Sequence, residues 1–224
     1  EITPELSQRF TGTVPILGRL EKKPEDGPAV VTAEQMTIPL PPPGGGPLDM
    51  RKLNGLVTLE LGPVRFETGP SFTEILSDKA KSDAQDSPRT IERVQVTIKD
   101  GVATYERMKI PLGNRFIVQS EGRSINLVTR QLDVVTWIPL GALSEHLVGE
   151  INKAIGGVLG AVTPDVGELT LIPIRTSGTM DSPRTGLDVK LLLENVAKQL
   201  SPDQLLKRGL GELLKRVGPK KGGG

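Results

Sequence analysis

The stretch "RVQVTIKDGVATYERMKIPLG", residues 93–113, constrains the fold more than any other part of the chain. Val94, Val96 and Ile98 alternate with Arg93, Gln95, Thr97 and Lys99, so apolar side chains fall on one face of a strand and polar ones on the other. Asp100-Gly101 follows, a pair suited to a two-residue hairpin because such turns need positive φ. A return strand, "VATYERMKIPL", comes next, then "RFIVQSEG", then "RSINLVTRQLDVVTWIPL", which is expected to bend near Thr129. Successive one-faced strands joined by tight turns predict an antiparallel meander with one wet and one dry face.

The same alternation appears upstream in "GLVTLELGPVRFETG". Val57, Leu59 and Leu61 share a face, and Gly62-Pro63 then shifts the phase to Val64 and Phe66, which reads as a bulge or a strand end. "FTGTVPIL" and "AVVTAEQMTIPL" are further expected strands. An apolar-Pro dipeptide recurs at Val14, Ile38, Ile110, Ile138 and Ile172. Proline has no N–H to give a ladder, so these positions belong at strand ends or on an exposed edge. With 26 Gly and 19 Pro in 224 residues, the composition is that of many short strands and turns.

Helical periodicity is confined to two regions. Residues 142–159 place Leu143, Leu147, Ile151, Ile155 and Leu159 at every fourth position, and residues 187–200 align Val189, Leu192, Val196 and Leu200. Ser201-Pro202 then has the form of a cap and first-turn proline for another helix carrying Leu206, Leu210, Leu213 and Val217. "PPPGGGP", residues 41–47, reads as a loop, and the charged, aperiodic residues 77–90 as a mobile surface loop.

The expected fold is mainly β with α: an antiparallel β-sheet with a mid-chain helix and C-terminal helices. Its parts are N-terminal strands and the Pro/Gly-rich loop at 1–52, the sheet at 53–185 with a helix inserted at about 141–159, a helical pair at 186–218 and a tail at 219–224. The chain opens on Glu1 and is read as part of something longer, with any membrane anchor before residue 1. No stretch reaches the ~20 uninterrupted apolar residues of a spanning helix.

No constellation of reactive residues stands out. Lys and Arg number 28 against 27 Asp and Glu, so no overall field favours nucleic acid. There is no cysteine, which excludes disulfides and thiolate metal sites. His146 is the one histidine and has no second imidazole to complete a metal site. "PPPGGGP" lacks the Lys-Ser/Thr ending of a phosphate loop. Asp165, Glu168, Asp181 and Asp188 have the placement of turn and cap residues, and Trp137 that of a packed strand residue. No enzyme activity and no cofactor are expected.

Two apolar surfaces remain as candidates. Val57, Leu59, Leu61, Val94, Val96 and Ile98 form a face that is either lipid-facing or core. Leu206, Leu210 and Leu213, bordered by Lys207, Arg208, Lys215 and Arg216, form a stripe that covers the sheet or meets a partner or an anionic membrane.

The segment "LTLIPIRTSGTMDSPRTGLD" followed by "VKLLLENVAKQL" resembles the C-terminal end of AsmA-like proteins. The resemblance rests on Ile172-Pro173-Ile174, Ser177-Gly178-Thr179 and Asp181-Ser182-Pro183, and upstream on Gly122, Ile125, Leu127, Leu132 and Asp133. It runs from about residue 53 to residue 200, with the Pro/Gly loop and the double terminal helix as departures. It implies an envelope protein in the periplasm, tethered to the inner membrane by a helix absent from this chain. It also implies a long, curved β-sheet forming an open or taco-like groove with an apolar interior, and, through the wider TamB-like and bridge-like lipid-transfer proteins, phospholipid as cargo and outer-membrane assembly as a role. The alternative is a protein-binding or structural module that docks an envelope partner through the sheet edge or the C-terminal helices.

Overall fold

The computed structural model describes residues 13–85, 88–112, 115–154 and 171–199. It is mainly β, with two antiparallel sheets that do not close into a barrel. The strands are β1 (Leu17–Glu21), β2 (Val30–Thr37), β3 (Asn54–Glu60), β4 (Gly62–Thr68), β5 (Arg89–Ile91), β6 (Val94–Lys99), β7 (Val102–Leu112), β8 (Phe116–Asn126), β9 (Gln131–Pro139), β10 (Leu171–Thr179) and β11 (Ser182–Leu187). The described helices are α1 (Asp78–Gln85), α2 (Glu145–Ala154) and α3 (Val189–Gln199). Eight strands form one sheet in the order β11-β10-β9-β8-β7-β6-β3-β2, and β1-β4-β5 form a smaller one.

Local chemistry accounts for the meander. Asp100 and Gly101 both take positive φ (51° and 74°), as the β6–β7 hairpin requires. At the β8–β9 turn the Asn126 side chain accepts hydrogen bonds from the backbone N–H groups of Val128 and Thr129. The expected bend near Thr129 is therefore a complete chain reversal, and "RSIN" belongs to the preceding strand. The prolines sit where a ladder stops: Pro139 ends β9, and Pro111 lies beyond the reach of β6, whose pairing with β7 stops at Tyr105. Pro173 pairs with Trp137 on one side, and its other neighbour, β11, reaches only as far as Ile174.

Leu61 marks the crossing between sheets. β3 pairs with β2 and β6 in the large sheet, the chain passes Leu61, and β4 joins the small sheet from Gly62, whose φ is 62°. The phase shift at Gly-Pro is thus a strand end at which the chain changes sheets. Lys22 fastens this crossing: its buried ammonium donates to the carbonyls of Leu61 (2.8 Å), Pro63 (2.8 Å) and Asp26 (3.0 Å). Since β2 pairs with β3, residues 30–37 belong to the large sheet, and the boundary at 52/53 is not a sheet boundary.

Two further expectations are corrected, and one strand is added. Residues 77–90 contain α1, capped where the Ala80 N–H donates to the Ser77 hydroxyl (3.3 Å), and then β5. Ala80, fully buried, supplies the apolar contact, a small side chain that apolar periodicity does not register. In "FTGTVPIL" the described residues before Leu17 turn, with the Leu17 N–H donating to the Val14 carbonyl, and the strand starts at Leu17. "SPRTGL" is an additional strand, β11, before Asp188 caps α3 by accepting from the Leu191 N–H (2.9 Å). The helix expected at about 141–159 is described over Glu145–Ala154, where Ile151 is fully buried. Ile155 and Leu159, and the second C-terminal helix, lie outside the described residues.

The small sheet packs on the large one through Val64, Phe66 and Ile91, and the segment leading into α1 through Phe72 and Leu76, in one core with Ala80, Ile110, Leu112, Val118, Ile138, Ile172 and Ile174. They cover only part of its inner face.

Candidate functional site: an apolar trough on the inner sheet face

The strand registers place one cross-sheet row on the inner face: Ala33, Val57, Val96, Tyr105, Gly122, Val134, Thr176 and Thr185. Burial changes steadily along it. Val134 and Thr176 are completely buried, Tyr105 and Gly122 are buried, Val57 and Val96 are half-buried, and Ala33 is exposed. The covered core thus opens, toward β3 and β2, into a trough.

That trough holds a cavity of about 220 Å³ lined by Thr13, Val14, Val57, Leu59, Val94, Val96, Ile98, Ala103, Tyr105, Met108, Ile125 and Leu127. Five of the six residues expected on this face meet here. Leu61 does not; it is buried at the crossing between sheets. Tyr105 and Met108 both point inward although three residues apart, because a register shift between them puts Glu106 and Arg107 together on the outer face.

Tyr105 closes the deep end. Its ring lies over Gly122, where a β-carbon would come within 2.2 Å of it, so glycine is required by the close approach. Its hydroxyl is shared with the Ser120 hydroxyl at 2.9 Å and also donates to the Thr13 carbonyl at 3.4 Å. Burial pushes the phenol far above its usual range and the nearby Glu121 charge acts in the same sense, against the opposing Ser120 hydrogen bond. Tyr105 therefore stays neutral, and the wall is apolar apart from Tyr105 and Thr13. Sequence periodicity identified the strand partners but missed Thr13, Val14, Ala103, Tyr105, Met108, Ile125 and Leu127. For Ala103, Tyr105, Met108 and Ile125 the signal is the register of neighbouring strands, which no single window of sequence contains; Thr13 and Val14 precede β1 and Leu127 follows β8, and they reach the trough through the chain's path rather than a strand period.

The other candidates have structural surroundings. His146 is exposed, with Nε2 3.6 Å from Glu150 Oε1. Trp137 is buried on the outer face under the Arg107 guanidinium, 4.8 Å from the ring centre. Asp181 holds Arg130 through two hydrogen bonds (2.7 and 3.0 Å). Asp188 joins Asp133 in holding Arg175, whose guanidinium is kept protonated first by its hydrogen bond to Asp133. Residues 41–47 form a loop. Asp165, Glu168, Leu206, Lys207, Arg208, Leu210, Leu213, Lys215 and Arg216 lie outside the described residues. Among the described residues no group of three or more His, Asp or Glu side chains could hold a metal ion, and no helix is long and apolar enough to cross a membrane. No protein-family model, no curated protein and no solved structure matches this chain.

Proposed function

We propose that the protein is a non-enzymatic segment of an AsmA-like envelope protein that shelters the acyl chains of phospholipids during their transfer between membranes or during outer-membrane assembly. The observation that carries this reading is the aliphatic trough, where Val57, Leu59, Val94, Val96 and Ile98 surround about 220 Å³ of space beside a sheet face that runs open to β2. Each methylene taken from water contributes ~0.8 kcal/mol, so a continuous apolar surface lowers the barrier to moving a lipid tail through an aqueous compartment. The cavity is smaller than the ~300–1,000 Å³ of sites that enclose whole small molecules. It suits part of one acyl chain, with the rest lying along the open face and the headgroup in water. Periplasmic location and tethering through a segment outside this chain accompany the proposal, and rest on the resemblance carried by residues 53–200.

The test is uptake of phospholipid by delipidated protein, read by native mass spectrometry and by displacement of a fluorescent fatty acid. Val96→Trp, which fills the cavity from its wall, is expected to weaken fatty-acid binding at least tenfold while the protein stays folded. Absence of lipid uptake by the wild-type chain, or unchanged affinity in the filled variant, overturns the reading.

A further inference from the structure

Among the described residues, the two edge strands of the eight-stranded sheet, β11 and β2, are unlike each other. β11 carries Pro183 and Gly186 and runs directly into the Asp188 cap of α3. β2 has no proline or lysine and one charge, Glu34. Val30 and Val31 on it are 45% and 59% exposed, and Ile38 and Leu40 just beyond it are 64% and 86% exposed. Natural sheets blunt such edges with proline, lysine or a covering element, because the unpaired N–H and C=O groups are a template for another strand. Among the described residues β11 has such protection and β2 does not.

We propose that β2 pairs with β2 of a second copy of this chain, antiparallel, about a two-fold axis at Thr32. The regular part of β2 is Val30 to Glu34, since the register against β3 shifts between Glu34 and Thr37, where Gln35 takes a φ of 51°. Centring the pair on Thr32 uses all five of these residues. Val31 then lies opposite Ala33 of the second copy on the trough face, and Val30 lies opposite Glu34 of the second copy on the outer face. The carboxylates do not oppose each other, and Glu60, next to Val30 on β3, already has Arg93 at 3.5 Å. A second copy is favoured over a head-to-tail array because such an array would have to use β11, the blunted edge, whereas a two-fold pair closes on itself. The pair joins two inner faces into one apolar surface across sixteen strands.

The chain has no cysteine, so crosslinking is free of background. Opposed residues in an antiparallel pair have Cα atoms ~4.5–5.5 Å apart, within the ~4.4–6.8 Å that a disulfide spans. Thr32→Cys is expected to form an intermolecular disulfide on oxidation. Val30→Cys is not, because its own counterpart is four residues along the strand, ~14 Å away at ~3.4 Å per residue. In light scattering, the wild-type chain is expected at twice 24.0 kDa. Thr32→Lys, which opposes two ammonium groups at the axis, is expected to be monomeric with a native circular dichroism spectrum and a melting temperature that no longer rises with protein concentration, and Arg184→Glu on β11 to remain dimeric. A wild-type monomer at tens of micromolar, a dimeric Thr32→Lys, or crosslinking of Val30→Cys as readily as Thr32→Cys overturns the proposal. None of these readouts depends on lipid binding.

Discussion

Replacing Lys22 by methionine tests whether the crossing between the two sheets is fastened as the geometry implies. The methionine keeps most of the apolar stem and removes the ammonium that donates to Leu61, Pro63 and Asp26 at 2.8, 2.8 and 3.0 Å. Lys22 is 5% exposed, so these bonds operate away from bulk water. Hydrogen bonds to a charged group contribute ~1.5–3 kcal/mol each, or roughly 5–9 for three. Against this, burying an ammonium costs several kcal/mol even after the surroundings relax. The difference predicts a loss of ~2–4 kcal/mol. Urea denaturation followed by circular dichroism measures it, with Lys23→Met as control, because the exposed neighbour should change stability by less than ~0.5 kcal/mol. An unchanged midpoint for Lys22→Met would mean that the three carbonyls find other donors and that the crossing does not depend on this side chain.

Asp26, which takes the Lys23 N–H at 3.0 Å and Arg65 Nη1 at 2.7 Å, is held below its ordinary value of 3.8, first by the backbone hydrogen bond and then by Arg65, against the opposing effect of burial. Its folded value is depressed, so its contribution is present above about pH 4 and is lost as pH falls through the lower folded value; Asp26→Asn should flatten that part of a stability–pH profile, and an unchanged acid limb would refute the assignment. Gly122→Ala forces a β-carbon into the Tyr105 ring and should cost ~1–3 kcal/mol, typical of overpacking. A thermal melt checks this, and any displacement of the ring into the trough should appear as weaker fatty-acid binding.

The fold was legible wherever the deciding interaction is local. Alternation in "VQVTI", the Asp100-Gly101 turn and the halting of ladders at proline depend on a few neighbouring residues, and they set strand, hairpin and antiparallel class directly. Residues 77–90 were opaque because among the described side chains a buried alanine, Ala80, and a serine cap hold α1, and neither leaves an apolar period. "SPRTGL" was opaque because β11 is an edge strand whose pairing partner, rather than its composition, makes it a strand. The candidate site divides in the same way. The sequence by itself determined that Val57, Leu59, Val94, Val96 and Ile98 share faces of their strands, since a period of two fixes which way each side chain points. Only the tertiary structure decided that those faces adjoin, that Tyr105 over Gly122 closes one end, and that Leu61 leaves the trough for the core. Those outcomes depend on the register of strands distant in sequence and on where the small sheet stops covering the large one.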